Sequence, residues 1–300
     1  MKKLATAKLI ASMTVFGTIG LFVRFVPLPS AFIAMTRGFI GALFLALVVL
    51  IGRKGFNFEA IKHNLVLLIA SGVCIGFNWI LLFESYNYTT VATATLCYYM
   101  APIIVIVASP FVLGERIGLK KSICAICAVI GMVFVSGVID SGVSGIGDLI
   151  GIFLGLGAAC LYASVMLLNK KMKDISAYDM TVPQLLFAAL AITPYSLIVD
   201  DVSASSFTPT VIALLLTIGI VHTGLTYAMF FGAARDLNAQ TTAILSYLDP
   251  ILAVLLSAFV LKEAISPLGI VGAVLVISSA LVSEVKITKT RTAHSSIDNA

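Results

Sequence analysis

The chain has 300 residues, of which 60% are hydrophobic and only 11% charged, and its mean hydropathy is +1.10. A soluble domain carries about 25% charged residues to keep its surface hydrated, so this composition excludes an ordinary water-soluble protein. The net charge of +5 lies in short segments between hydrophobic stretches, which indicates membrane topology and not binding to nucleic acid.

Ten hydrophobic segments are long enough to cross a bilayer, which takes about 20 mostly apolar residues. The first segment follows Lys2, Lys3 and Lys8 in the manner of a signal peptide. It is nevertheless long and lacks a small-residue cleavage site, so we predict a retained helix. The ten predicted helices span residues 9–26, 31–51, 64–86, 90–112, 119–138, 149–169, 178–198, 209–232, 238–261 and 267–284.

Lysine and arginine gather on one side of the membrane when ten crossings are counted from a cytoplasmic N-terminus. Only Arg24, Arg37 and Lys262 fall toward the other side. Cytoplasmic loops of membrane proteins are enriched in these two residue types. The sequence therefore predicts a multi-pass protein of the cytoplasmic membrane with both termini in the cytoplasm.

Part of the fourth predicted helix recurs in the ninth, 148 residues later. Residues 99–115 and 247–263 are identical at eight of 17 positions, including paired Tyr, Pro, Ser and Glu. This offset gives each repeat five helices, and an odd number of crossings inverts the second repeat in the membrane. The predicted fold is an all-α integral membrane protein of ten transmembrane helices, with inverted repeats over 1–143 and 144–285 and a polar cytoplasmic tail at 286–300.

Pro102 and Pro250 occupy equivalent positions near the middle of predicted helices 4 and 9. A proline there removes a backbone hydrogen bond and kinks the helix. The kink can be a static bend or a hinge, and the equivalence of the two prolines favours a pair of hinges.

Asp249 and His222 are the titratable residues predicted to lie deep in the membrane. Asp249 precedes Pro250, and its counterpart in the first repeat is Ala101. A carboxylate at this depth is costly unless it is paired, hydrated or protonated, while histidine titrates near neutral pH. We predict proton coupling for both, with a structural carboxylate and a packing histidine as the alternatives.

Aromatic and amide side chains fall at positions that a central cavity can use. They can hold a ligand by stacking, hydrogen bonds and cation–π contacts, although part of such a set serves in packing or at the membrane interface. The predicted substrate-binding residues are Asn78, Trp79, Tyr98, Tyr99, Tyr162, Tyr227 and Tyr247.

Charged residues also lie near the ends of the predicted helices. Arg24, Arg37 and Glu84 fall toward the outer ends of helices 1 to 3. Opposite charges at similar depth predict an outer charge cluster or gate. Glu115 and Glu263 end helices 4 and 9 on opposite faces, where we expect helix caps or interhelical bonds.

Glycines at 147, 151 and 155 recur every four residues in helix 6. This spacing allows another helix to approach closely. The approaching helix can belong to the same chain or to a second copy, so both a monomer and a homodimer are compatible with the sequence.

Motifs of enzymatic and ATP-driven chemistry are missing from the sequence. Cys124 and Cys127 form a lone C-x-x-C with no second pair and no neighbouring histidine, which predicts packing cysteines. We expect no catalytic residue, metal or cofactor. No G-x-x-x-x-G-K-[ST] motif occurs, so ATP hydrolysis is not supported.

Short motifs in both halves carry a resemblance to a known family. They are Phe16-Gly17, Arg37, Tyr88-Thr89-Thr90-Val91-Ala92, Pro102 with Gly114-Glu115-Arg116, and the second copy Pro250 with Lys262-Glu263-Ala264. With these motifs the chain resembles the drug/metabolite transporter superfamily, specifically its ten-helix EamA-type carriers, over nearly its whole length. The resemblance implies a structural role for Arg37 and a cavity lined by helices 1, 3, 4, 6, 8 and 9.

The inverted repeats and the resemblance together predict a secondary transporter that works by alternating access. Its expected partners are a small-molecule substrate and the lipid bilayer. The resemblance implies export of amino acids or related amphipathic metabolites. The alternatives are an importer of an organic amine or nucleoside-like solute, a channel, and an intramembrane enzyme that processes lipids.

Overall fold

In the computed structural model of the chain, the described residues form helices and the turns that join them. These residues are 2–52, 55–89, 94, 97–116, 118–135, 139, 146–203, 206–252 and 267–284.

The helices of the described residues follow the predicted order. A short surface helix, Phe58–His63, precedes the third membrane helix, and the ninth is described from its start at residue 239 as far as 252. The membrane helices are α1 (Lys2–Arg24), α2 (Ser30–Ile51), α3 (Leu65–Tyr88), α4 (Ala101–Leu113), α5 (Leu119–Val135), α6 (Ile146–Lys171), α7 (Ala177–Val199), α8 (Pro209–Asp236), α9 (starting with Ala239–Leu245) and α10 (Pro267–Glu284).

Length and hydropathy agree with a membrane environment. Within the described residues, α1, α2, α3, α6, α7 and α8 are each long and apolar enough to cross a bilayer. Shorter apolar helices occur in α4 and α10. Helix α1 begins seven residues before the predicted start at residue 9, because hydropathy marks the entry into lipid whereas the hydrogen-bonded helix continues into water.

The contacts between helices show a two-fold pattern in which each of α1 to α5 corresponds to the helix five places later. Three helices of the first half pack against the corresponding helix of the second half: α2 against α7, α4 against α9, and α5 against α10. The contact of α3 with α6 is matched by that of α8 with α1, and the contact of α2 with α8 is matched by that of α7 with α3. This pseudo-two-fold pattern is the packing of two inverted five-helix repeats, as the sequence predicts.

Glycines allow the closest of these contacts. A Cβ atom on Gly151 would lie 2.5 Å from Cγ2 of Thr89, and one on Gly155 would lie 2.9 Å from Cβ of Cys97. Both distances are too short for any side chain, so these glycines are required where α6 meets the end of α3 and the chain that leads to α4. The close neighbour of the predicted glycine stretch therefore lies within the same chain.

Loops at one end of the bundle are tied together by hydrogen bonds. We call this end, where α1, α3, α5, α7 and α9 begin, the basic face. The Asn64 side chain donates to the carbonyl oxygen of Lys173 at 2.9 Å, and the Asp179 carboxylate accepts from the amide of Asn57 at 3.3 Å. Lysines 120, 121, 170, 171 and 173 lie at this face.

Candidate functional site

Aromatic side chains from five parts of the chain meet in the middle of the bundle, and we call them the aromatic centre. Trp79 of α3 and Phe16 of α1 have ring centroids 6.1 and 5.0 Å from that of Tyr227 on α8, both edge to face. Tyr98, just ahead of α4, stacks on Tyr162 of α6 with 5.6 Å between centroids and 21° between planes. These geometries are favourable for aromatic pairs. Four of the predicted substrate-binding residues thus share one site.

Arg37 belongs to this aromatic centre and not to the predicted outer charge cluster. Its guanidinium carbon lies 4.0 Å from the centroid of the Trp79 ring, a stacking geometry that favours arginine. Tyr227 is close enough to Arg37 and Trp79 to interact with both. Because arginine and the indole can only donate, the Tyr227 hydroxyl can serve them only as an acceptor. Arg37 itself is 6% exposed.

Asp249 lies at the edge of the same centre. Its carboxylate is close enough to Tyr99, Tyr162 and Tyr227 to interact with all three phenols. Asp249 is only half-buried. A site with one carboxylate and several phenols can bind cations and donate hydrogen bonds to polar ligands.

Both proline-containing helices are interrupted beside this centre. A turn at Tyr99 and Met100 precedes α4, so Pro102 lies in the first helical turn and not in the middle of a helix as predicted. Proline is well tolerated there because its missing amide needs no partner. In the second repeat a turn at residues 246 and 247 precedes Pro250 in the same way. The bend that the sequence predicts is therefore a break, placed just ahead of each proline.

His222 lies in a stretch of π-helix, Ile218–Leu225, within α8. Thr223 donates to the carbonyl oxygen of Ile218 at 2.8 Å, five residues back, as the wider helix requires. The His222 Nε2 atom lies 2.8 Å from the Thr18 hydroxyl of α1. The same hydroxyl donates to the carbonyl of Val15 at 2.7 Å, which leaves its lone pairs able to accept from His222 Nε2 in the tautomer that carries the proton there. A π-helical stretch of this kind is frequent at functional sites.

Other predicted site residues lie outside this centre. Asn78 donates its amide to the carbonyl oxygen of Ala158 at 2.6 Å, which ties α3 to α6. Tyr247 is fully buried among Ala128 of α5 and Val276 of α10, and Tyr99 packs against that cluster. The predicted substrate-binding set is thus split, with Asn78 and Tyr247 used in packing, because hydropathy does not fix the rotation of a helix about its axis.

Within the predicted outer charge cluster, Glu84 has other partners than arginine. It accepts hydrogen bonds from the Tyr195 hydroxyl at 2.5 Å and from the Asn87 amide at 3.2 Å. Arg24 ends α1, and its side chain lies outside the described part of the structure. The cluster is therefore not assembled from Arg37 and Glu84.

At the basic face, hydrogen bonds join α4 and α6 to the junction of α8 and α9. The Glu115 carboxylate accepts from the amide of Ala239 at 3.1 Å, which caps the start of α9 as expected for this residue. Lys170 donates to the carbonyl oxygens of Arg235 and Leu237 at the end of α8. We call these contacts the basic-face latch.

Two of these features could not be found from the sequence. The residues around Arg37 in the sequence do not show whether its side chain faces the central cavity or the outer end of the helix. The π-helix has only a weak signal, since Thr223 and Thr226 can each satisfy a carbonyl five residues earlier. The sequence does carry one signal of the latch, Gly114. Its φ of 68° is left-handed, and this conformation ends α4 and turns Glu115 toward α9.

Two pseudo-symmetric halves of helices around a polar, aromatic centre define a multi-pass membrane protein with the architecture of a transporter. The chain belongs to the EamA-like transporter family, which it matches over residues 4–137 and 149–284. The predicted resemblance is confirmed, and the protein is a membrane transporter of this family.

Relatives and a solved structure agree with this assignment. The uncharacterized transporter YxxF of Bacillus subtilis (strain 168) is 29% identical over 259 residues, covering 85% of this chain and 81% of that protein. Protein RarD of Escherichia coli (strain K12) is 26% identical over 199 residues, covering 65% and 63%. A crystal structure with 16% identity covers 93% of this chain and 97% of its own, with a TM-score of 0.81. At that identity the likeness shows the fold alone.

Proposed function

We propose that this transporter is a secondary carrier that exports amino acids or related amphipathic metabolites from the cytoplasm by alternating access. The basic face is then cytoplasmic, as the positive-inside rule suggests. The observation that carries the proposal is the aromatic centre itself. It combines apolar ring faces with Arg37 and Asp249, and so suits a small solute that has both apolar and charged parts.

The basic-face latch supports alternating access. It joins α4 of the first repeat to α9 of the second repeat, and α6 to α8. Opening these contacts would expose the centre to the cytoplasm. The breaks ahead of Pro102 and Pro250 supply equivalent places in the two repeats at which the helices can pivot.

Proton coupling through Asp249 and His222 belongs to the same proposal. A carboxylate in the membrane is stable when protonated or when paired with a cation, so a proton and a cationic substrate group would compete for Asp249. The groups facing it are Tyr99, Tyr162 and Tyr227. His222 has acceptors for two N–H groups, the Thr18 hydroxyl and the carbonyl of Thr217 at 3.4 Å, and these can accommodate the imidazolium form. Arg37 faces it and opposes that charge.

A thermal-shift screen of the purified protein tests whether the centre binds such solutes. The panel contains amino acids, organic amines and nucleosides. We expect amino acids to raise the melting temperature by several degrees at saturating concentration, since a ligand at 100 times its Kd adds about 2.7 kcal/mol. The shift should be lost in Tyr99→Phe and Trp79→Phe, which alter groups of the site.

The matched control for this screen is Tyr178→Phe, which removes a hydroxyl from an exposed tyrosine at the start of α7. Its ligand response should equal that of the unaltered protein. Stabilisation by amines or nucleosides alone would instead favour the importer alternative. A shift that survives both Tyr99→Phe and Trp79→Phe would place binding elsewhere.

A further inference from the structure

Arg37 is a buried cation with unused hydrogen-bonding capacity. Its Nε atom is enclosed and has no hydrogen-bond partner among the described residues. The interactions that act on its charge come from Tyr227 and Tyr98, both neutral phenols. Of the described carboxylates, Asp249 interacts with Tyr99, and Glu84, near the end of α3, accepts from Tyr195.

This arrangement is costly for an arginine that serves only in packing. A buried charge that lacks an ionic partner loses much of its hydration free energy, and stacking on the Trp79 face returns only part of it. The guanidinium has five N–H donors, and its fork matches a carboxylate with two parallel hydrogen bonds. An anionic ligand group in the aromatic centre would supply the missing partner.

Opposite charges flank Tyr227. Arg37 and Asp249 are each near enough to act on its hydroxyl electrostatically. His222 interacts electrostatically with Arg37. Because histidine is neutral or positive, it cannot neutralise the charge of Arg37. The centre therefore offers one site for an anion and one for a cation, with aromatic faces between them.

We propose that Arg37 is the anion-binding residue of the substrate site and that it holds the carboxylate of a zwitterionic substrate whose ammonium group faces Asp249. This inference rests on the function proposed above and narrows it. A free carboxylate becomes a requirement, so a plain amine or an uncharged nucleoside is a poor substrate.

The test compares matched ligands that differ only in the carboxylate. Binding to the purified protein is measured for L-leucine, L-leucinamide and 3-methylbutylamine, and for L-phenylalanine, L-phenylalaninamide and 2-phenylethylamine. We expect at least one of the two acids to bind about 100-fold or more tightly than its amide or amine, because a buried donor set rejects a ligand that leaves it unpaired. Phenyl phosphate is included to separate a carboxylate site from a general anion site.

Two variants assign the discrimination to the residue. Arg37→Gln should bind acid and amide with similar affinity, whereas Arg37→Lys, which keeps the charge without the fork, should retain part of the preference. Melting temperatures without ligand show whether each variant is folded. The comparison of acid, amide and amine in the unaltered protein needs no variant, so it still decides the question if both Arg37 variants unfold.

The outcomes are distinct. Equal binding of acid, amide and amine, or a preference for the acid that persists in Arg37→Gln, overturns the role of Arg37 while leaving the carrier intact. Tighter binding of phenyl phosphate than of either acid overturns the carboxylate as the group that Arg37 holds. Failure of every amino acid and amine to bind overturns the proposed function, and this inference with it.

Discussion

Asp249→Asn should abolish the dependence of transport on a pH gradient. In proteoliposomes loaded with the amino acid that binds best, we expect gradient-driven flux to fall by about 5- to 150-fold, the usual range of coupling between two ligands of one protein. Asparagine keeps the size and hydrogen-bonding ability of the side chain but cannot carry a proton. In this variant, the exchange of internal for external substrate, which moves no net proton, should fall less than net transport driven by the pH gradient. The measurement is labelled-substrate flux, with a pH-sensitive dye inside the vesicles.

The matched control is Asp236→Asn, since Asp236 is an exposed carboxylate at the end of α8, on the basic face. It should behave as the unaltered protein. Unchanged pH-dependent transport in Asp249→Asn would remove proton coupling through this residue from the account.

Glu115→Gln should loosen the basic-face latch. The Glu115 carboxylate caps the start of α9, where a negative charge is stabilised by the helix dipole, and its second oxygen is buried without a partner in the described structure. Glutamine keeps an oxygen that can accept from Ala239 but loses the interaction of the charge with the helix dipole, which is worth about 0.3–1 kcal/mol and corresponds to an increase of about 2- to 5-fold in the population of the opened latch. Hydrogen–deuterium exchange of the peptide over residues 239–246 should quicken accordingly.

Glu59→Gln serves as the control for the latch, because Glu59 belongs to the short surface helix Phe58–His63 and lies away from α9. Its exchange over 239–246 should not change. Equal protection in Glu115→Gln and the unaltered protein would mean that the latch does not hold this face closed.

The fold could be predicted from the sequence because the membrane imposes strong patterns. Helices of about 20 apolar residues, basic loops and the recurrence of 99–115 at 247–263 each constrain topology. Boundaries were less accurate where polar residues continue a helix, as at Lys2 and Lys3. The prolines indicate where the helices become irregular. They do not show whether the helix bends at Pro102 or is interrupted ahead of it, because both give the same sequence.

The candidate site could be predicted only in part. Trp79, Tyr98, Tyr162 and Tyr227 do meet, and Asp249 lies beside them. Asn78 and Tyr247 have the same residue chemistry but turn toward neighbouring helices. Each residue rotates the direction of a side chain by about 100°, so a small error in helix rotation exchanges cavity and packing positions. Arg37 lies in the aromatic centre and not at the outer end, because a sequence gives the depth of a residue only by its distance from the predicted ends of the helix.

Counterflow in proteoliposomes is the most direct test of the account. Vesicles are preloaded with an unlabelled amino acid that stabilises the protein and are then diluted into a trace of the labelled compound. A carrier that alternates between two faces predicts a transient accumulation of label inside the vesicles above its external concentration, absent in empty vesicles. Simple equilibration without overshoot would indicate a channel, and chemical conversion of the labelled compound would indicate an enzyme. Either result would contradict the account.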